Sequence, residues 1–298
     1  MDYDVIVIGA GHAGCEAAAA AARLGLVVQM ITLRKDRVAW MSCNPAIGGI
    51  GKGHLVKEID ALGGLMGAAA DRCGIQRRTL NTQKGYAVRA TRAQCDMYMY
   101  SAVVAGMISR YKNIEVLEDE VLDLIIDGGR IQGVRTAKNG AIGSKAVVLS
   151  AGTFLDAVMH SGEEITPGGR TGERPASRLS ASLKNSGLDL RRFKTGTPPR
   201  IAASTIDFSV LEPQFSDPGA LPFSITTSGF AGMTSPCHIT YTNDRTHEII
   251  LANIHRAPIF NGQIHSRGPR YCPSIEDKVH RFREKPRHQI FLEPVSGD

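Results

Sequence analysis

The sequence predicts an α/β fold organised around a dinucleotide-binding strand, turn and helix, and three observations carry that prediction. The first is Val5-Ile6-Val7-Ile8, an unbroken β-branched run that reads as a parallel strand buried on both faces. The second follows at once: Gly9-Ala10-Gly11-His12-Ala13-Gly14, a Gly-x-Gly-x-x-Gly that leads into an alanine-rich helix from Glu16 to Arg23. Gly9 allows the tight turn, Gly11 lets backbone approach a pyrophosphate, and Gly14 lets the helix pack closely on the strand. The helix N-terminus then offers unpaired N–H groups and a partial positive charge to phosphates. The third is another buried strand, Ala146-Val147-Val148-Leu149, which runs into Ser150-Ala151-Gly152-Thr153.

The remaining elements follow in order. Gly25 closes the first helix and Val27 to Leu33 forms the second strand. A plain NAD site places an acid at the end of this strand to hold the ribose. Here the strand ends Ile31-Thr32-Leu33-Arg34, with Asp36 further along, which argues against an ordinary NAD dehydrogenase. Ser42 to Gly53 is a glycine-rich loop suited to a flat ligand or phosphate; Ala46 and Gly53 depart from the P-loop pattern. A helix follows, with Leu55, Ile59 and Leu62 on one face and Gly63-Gly64 at its end. Arg89 to Arg92 leads into a helix that runs to about Ile108; if that helix starts early, Arg89 and Arg92 share a face, for phosphate binding or simple surface exposure. Ile114 to Thr136 reads as strands joined by a hairpin at Asp127-Gly128-Gly129.

The 298 residues suffice for two domains or one large one. No apolar run reaches membrane-spanning length and the N-terminus opens on a core strand, so neither a membrane span nor a signal peptide is expected. The six cysteines, at 15, 43, 73, 95, 237 and 272, include no C-x-x-C and no metal-ligand spacing. That usage fits a reduced, cytoplasmic protein without a metal and excludes a dithiol disulfide reductase. The net charge of +6 is concentrated in residues 72–92, 170–200 and 256–288. Such segments suit a polyanionic partner, or equally a solvated surface with a few phosphate-binding arginines.

Cys43 lies in the polar glycine-rich loop with Lys52 and His54 close in sequence, surroundings that suit a reactive thiol; the alternative is a small buried hydrophobe. Cys15 and Cys95 fall on predicted helices as core residues, Cys73 in a turn-like stretch, and Cys237 has no assigned role.

Longer matches go beyond general physics. Gly11 to Gly14, Met41 to Ala61 (with Ser42-Cys43-Asn44-Pro45), Val88 to Gln94, Lys194 to Val210, Gly268 to Phe282 and His288 to Pro294 resemble the MnmG/GidA family of FAD-dependent tRNA-modifying enzymes. The resemblance implies a Rossmann-like FAD-binding domain over residues 1–199, interrupted by the β-hairpin. It implies a partial inserted α+β domain for substrate or NAD over residues 200–298, with the family's later flavin segment and helical partner-binding region absent. It also implies an activity: with the GTPase MnmE, addition of an aminomethyl or carboxymethylaminomethyl group to C5 of the tRNA wobble uridine. Methylenetetrahydrofolate would supply the carbon and NADH the reducing equivalents, in a cytoplasmic enzyme that is a homodimer at full length. The shortened length keeps a second reading open, an inactive cofactor- or RNA-binding remnant.

Residue by residue, the resemblance assigns FAD contacts to Gly9, Ala10, Gly11, His12, Ala13, Gly14, Val121 and Ser177. It assigns NAD contacts to the signature Gly268-Pro269-Arg270-Tyr271-Cys272-Pro273-Ser274-Ile275-Glu276-Asp277-Lys278-Val279-His280-Arg281-Phe282. Cys43 and Cys272 match the family's two catalytic cysteines. C5 of uracil is a poor nucleophile until a thiolate adds at C6, and Cys272 is the nucleophile on this reading, with Cys43 the proton-transfer partner or second thiol. Ser274 and Asp277 fit a capping box, and Ile275, Val279 and Phe282 mark the buried face of the helix they begin. Cys272 then sits just ahead of that helix and beside Arg270, both influences that favour thiolate. Tyr86, where the family has proline, and the altered segment Gly172 to Ser177 are the departures.

Overall fold

The computed structural model describes residues 2–229, 235–265 and 273–297. Its centre is the strand β1 (Tyr3–Ile8), followed by helix α1 (His12–Arg23) and strand β2 (Val28–Thr32) in one βαβ unit. A short strand β3 (Ala46–Gly48) precedes α2 (Gly53–Ala61), α3 (Met66–Cys73), β4 (Gly74–Leu80), β5 (Ala90–Cys95) and α4 (Met97–Ile108). The chain then returns to the main sheet through β6 (Ile114–Glu118), β7 (Val121–Asp127), β8 (Arg130–Thr136) and β9 (Gly140–Leu149).

The main sheet has the order β6-β2-β1-β9-β8-β7. Strands β6, β2, β1 and the second half of β9 are parallel; the first half of β9 continues antiparallel into β8 and then β7. The fold is therefore α/β and Rossmann-like, as the sequence predicts. The β7–β8 turn is the two-residue Gly128-Gly129 loop, both residues at positive φ, the geometry that matches strand twist.

Alternation along β1 explains why four apolar residues run together. Val5 and Val7 join one buried cluster with Ala18, Ala19, Ala22, Ala69, Tyr100 and Val104, under α1, α3 and α4. Ile6 and Ile8 join the other, with Ile31, Val121, Val134, Leu179 and Leu183. Both faces are covered, so the strand carries no polar side. Glu16 of α1 accepts the Leu65 and Met66 N–H groups (2.9 and 2.7 Å), capping α3 with a carboxylate from the neighbouring helix.

Beyond the sheet come the hairpin β10 (Val158–Ser161) and β11 (Glu164–Pro167), then α5 (Ser177–Asn185) and β12 (Glu212–Gln214). Next are β13 (Cys237–Tyr241), α6 (Asp244–Ala252), α7 (Ile275–Arg281) and β14 (Gln289–Leu292). Strands β12, β13 and β14 form one antiparallel sheet, and β3, β5 and β4 another. No helix among the described residues is long and apolar enough to cross a membrane.

Four local expectations are corrected. Residues 90–95 form strand β5, so Arg92 and Cys95 are on a strand, and the helix starts only after Asp96, whose carboxylate caps it through Met99 N–H (2.8 Å). The N-cap at Asp96 outcompetes an early helical start at Arg89. On α2 the buried residues are Gly53, Val56 and Asp60, while Leu55 and Leu62 are exposed. The helix turns that way because its start packs on β5 and Asp60 receives the Ile225 N–H (2.9 Å). The expected capping box on α7 is absent: the Ser274 hydroxyl makes no cap, and the Asp277 carboxylate pairs with Arg281 one turn on (2.8 Å). Of the face expected to be buried there, only Val279 is fully so; Phe282 is exposed.

Several arginines of the basic segments pair with acids from other parts of the chain. Arg77 meets Asp71 at 2.7 Å with both side chains fully buried, and Arg78 meets Asp217 at 2.9 Å. Arg178 and Arg192 reach Asp123 and Asp156, each at 2.8 Å. Part of the charge that runs together along the chain is thus opposed in space.

Candidate functional site

The C-terminal ends of β1, β2 and β9 open on a cavity of about 480 Å³, within the range of small-molecule and cofactor sites. Its floor is Gly9 to Ala13 and Ser150 to Phe154; its walls include Thr32 to Arg34, Arg37, Trp40 to Asn44, Asp119 to Val121, Arg170, Glu173, Ala176 and Leu179. The position follows from topology, since ligands in open α/β sheets sit beyond the carboxyl ends of the strands.

The three glycines of the turn meet different surroundings. Gly9 has φ +100°, and a Cβ there would lie 2.5 Å from the Ser150 carbonyl oxygen. At Gly14 a Cβ would fall 1.8 Å from the Gly9 carbonyl oxygen, inside bonding-forbidden space. At Gly11 it would meet nothing within 4 Å. The open space is therefore in front of Gly11, at the head of α1. That helix has no side-chain cap and no acid in its first turn, so its leading N–H groups are left for an anion. The Ser150 hydroxyl donates to the Ile8 and Gly9 carbonyls (2.9 and 3.1 Å) and pins the turn to β9.

His12 lines the cavity and stacks on Tyr100 at 5.4 Å. Burial holds its imidazole below the ordinary value, so it stays neutral at pH 7. Above pH ~6.5 folded and unfolded imidazoles are both neutral. Below it the unfolded chain binds the proton first, so stability falls as the pH drops toward the depressed folded value. Urea melts between pH 7.5 and 5.5 are expected to show that decline. His12→Gln is expected to flatten it in part; His288, lowered chiefly by burial, supplies the rest.

At the C-terminal end of β2 Thr32 turns its hydroxyl to the Arg34 carbonyl (3.3 Å), and Asp36 pairs with Arg34 at 2.5 Å. The edge that carries a carboxylate in NAD sites is here lined by Arg34 and Arg37, with Arg37 4.0 Å over the Trp40 ring.

Cys43 enters the wall on a tripeptide held from several directions. Its thiol donates to the Gly196 carbonyl (3.2 Å). Arg200 donates to the carbonyls of Ser42 and Cys43 (3.2 and 3.0 Å), and Arg170 to the Ser42 hydroxyl (3.2 Å). Arg170 is itself held in a two-pronged pair by Glu173 (2.6 and 2.8 Å). Lys52 and His54 are not among the lining residues; His54 bonds the Ala87 carbonyl (3.0 Å). Cys15, Cys73, Cys95 and Cys237 are all buried, and burial pushes the thiols of Cys15, Cys73 and Cys237 up to about 12 and that of Cys95 higher still. Among the described cysteines Cys43 alone is partly accessible.

Gly9 to Ala13 and Val121 line the cavity, and Gly14 lies beneath the turn. Ser177 opens α5 and donates to Asp156 (3.2 Å); Ala176 and Leu179 of the same turn do the lining. Gly268 to Cys272 lie outside the described residues. From Pro273 to Phe282 nothing lines this cavity; Glu276 instead borders a shallower one of about 450 Å³ with His160, Glu163 and Arg256. Arg89 stacks on exposed Tyr86 (4.1 Å). The Arg170–Glu173 pair was missed by sequence reasoning; its i,i+3 opposite charges after Gly168-Gly169 were the available signal. Among the described residues no group of three His, Cys, Asp or Glu is placed to hold a metal.

A family profile for Glucose inhibited division protein A matches residues 4–297. The tRNA uridine 5-carboxymethylaminomethyl modification enzyme MnmG of Thermodesulfovibrio yellowstonii is 50% identical over 293 residues, 98% of this chain and 47% of that protein. The MnmG of Nitratiruptor sp. is 53% identical over 296 residues, 99% of this chain and 47% of that protein. The form I crystal structure of Aquifex aeolicus GidA superposes with TM-score 0.92 at 47% identity, over 99% of this chain and 50% of that one. This chain thus spans about half the length of the relatives it matches. With a match that runs through the Gly9–Gly14 turn, the Cys43 loop and β14, this chain belongs to the Glucose inhibited division protein A (GidA) family.

Proposed function

We propose that this chain binds FAD in the Gly9–Gly14 cavity and serves the modification of C5 of the wobble uridine in tRNA. The observation that carries the reading is the joint placement, in one cavity, of an anion-ready helix start and the only accessible described cysteine, Cys43. The residues present fit a dinucleotide. The space in front of Gly11 and the free N–H groups of α1 suit a pyrophosphate, Val121 and Ala176 offer apolar contact, and Arg34 and Arg37 edge the adenosine end.

FAD when bound would supply two-electron chemistry at the flavin ring. The chain's own residues do the rest. His12, neutral at pH 7, faces the cofactor without adding charge. Cys272 as thiolate adds to C6 of the uracil: the S–C6 bond forms and the C5=C6 electron pair moves toward O4, which makes C5 nucleophilic. Once C5 has gained its carbon, a base removes the C5 proton and the S–C6 electrons leave with the thiolate. Cys43 is the proton-transfer partner or second thiol. Methylenetetrahydrofolate is the carbon donor, NADH the reductant held by residues 268–282, and the GTPase MnmE the partner, in the cytoplasm and as a homodimer at full length. Residues 1–199 form the FAD domain on this reading and 200–298 the part of an inserted domain.

The first test is the visible spectrum of the purified chain with and without added FAD. A flavin band that stays with the protein through gel filtration and bleaches with NADH is the expected result. A colourless chain that takes up no FAD overturns the proposal for this chain.

A further inference from the structure

Asn44, next to Cys43, belongs to a closed ring of side-chain hydrogen bonds. Its amide nitrogen donates to Glu293 Oε2, and Glu293 Oε1 accepts Arg92 Nη2 at 2.5 Å. The same Arg92 nitrogen donates to Gln94 Oε1 (3.0 Å), and Gln94 Nε2 returns to Asn44 Oδ1 (3.1 Å). Gln94 Nε2 also donates to the Pro294 carbonyl (2.8 Å). Arg92 and Gln94 sit two apart on β5 and so share a face, opposite Gly48 and Ala46 of β3. Glu293 follows β14 immediately. The ring therefore joins the Cys43 loop to the end of the β12-β13-β14 sheet across some 250 residues of sequence, and Gln94 in it is fully buried.

The direction of every bond is set by two members. Arg92 can only donate and an ionised Glu293 can only accept. Starting from them, the amides of Gln94 and Asn44 have one orientation that leaves no donor facing a donor. An amide at 293 breaks this pattern, since its nitrogen would face the Asn44 nitrogen. Turning Asn44 over moves the conflict to Gln94, and turning Gln94 over moves it to Arg92. A carboxylate at 44 breaks it differently, by facing Glu293. With both changes the pattern closes again: the amide nitrogen at 293 donates to the carboxylate at 44, which still accepts from Gln94.

We propose that Glu293 and Arg92 are positioning residues for Cys43, and that this ring holds the Cys43 thiol in its place against the Gly196 carbonyl. The geometry makes the ring the device that keeps the cavity wall in register with the β13–β14 sheet. Its functional meaning rests on the role given to Cys43 above. The test reads only where the thiol is held, so the two readings can fail separately.

The test is iodoacetamide alkylation of Cys43 in the folded chain, timed by mass spectrometry of the Cys43 peptide. Glu293→Gln and Asn44→Asp are each expected to speed alkylation about tenfold, as the loop opens and the thiol leaves Gly196. The N44D/E293Q double variant is expected to return within about twofold of the parent rate. Single variants that alkylate at the parent rate, or a double variant no slower than the singles, overturn the proposal. If a single variant shows no cooperative melt, Asn44→Ala replaces it, since it deletes the bonds without opposing like groups. Faster alkylation at an unchanged Tm supports the proposal, and a lower Tm with the parent alkylation rate overturns it.

Discussion

Gly14→Ala is expected to lower the stability of the chain by about 3 kcal/mol or more, roughly 6–12 °C in Tm. The added Cβ would sit 1.8 Å from the Gly9 carbonyl oxygen and 2.8 Å from the Ser150 hydroxyl. Neither obstacle is the loose end of a long side chain. The carbonyl belongs to a turn pinned by Ser150, and Gly9 N–H is bonded to Ile31 (2.8 Å). Helix α1 must therefore move outward by more than an ångström, losing contacts of Cys15, Ala18 and Ala22 in the core. Gly11→Ala makes the opposite trade. Its φ of −72° is ordinary for alanine and its Cβ meets nothing within 4 Å. The stability cost is expected to stay below about 1 kcal/mol. FAD uptake is expected to weaken by about tenfold or more, because the methyl occupies the space proposed for a phosphate. Thermal melts and flavin titration separate the two. A Gly14→Ala chain that melts with the parent overturns the packing argument, and a Gly11→Ala chain that binds FAD normally overturns the proposed phosphate position.

Asp71→Ala is expected to cost about 3–5 kcal/mol, measured by urea unfolding. Asp71 is fully buried, meets Arg77 at 2.7 Å and accepts the Phe223 and Ser224 N–H groups, each at 2.9 Å. The substitution removes the carboxylate beside a buried guanidinium and strips two backbone donors of their acceptor. Phe223 presses on Gly48, where a Cβ would come within 2.6 Å of its ring, so the damage reaches the strand that follows Cys43. The D71A/R77M double variant is expected to recover part of the loss, since it no longer buries the mismatched charge. A loss below 1 kcal/mol for Asp71→Ala alone would contradict this account.

The parts legible in the sequence share one property: a repeating or contiguous pattern with a single physical reading. Val5 to Ile8 is apolar at every position because both faces of β1 are covered. The Gly128-Gly129 hairpin needs two residues at positive φ, and few dipeptides supply them. The Gly-x-Gly-x-x-Gly is legible because the turn at Gly9, the open space before Gly11 and the tight helix contact at Gly14 are all within six residues. Expectations failed where two local readings competed. Arg89 to Cys95 carried helix-compatible residues, yet β3 and β4 supplied partners on both sides and made a strand. On α2 the apolar stripe Leu55, Ile59, Leu62 lost to Asp60, which is turned inward by the Ile225 N–H.

What the sequence by itself determined is the α/β core, the site of the turn at Gly9 to Gly14 and, through long matching segments, the family. These depend on neighbours along the chain or on motifs read whole. Only the tertiary structure decided where the charges go and what holds Cys43. Asp71 with Phe223, Arg170 with Ser42, Arg200 with Cys43 and Glu293 with Asn44 join residues more than a hundred positions apart, apart from the near-neighbour pairs Asp71–Arg77 and Arg170–Glu173. A hydrogen bond depends on distance and direction in space, and neither is written in the order of residues until the sheets have brought their ends together.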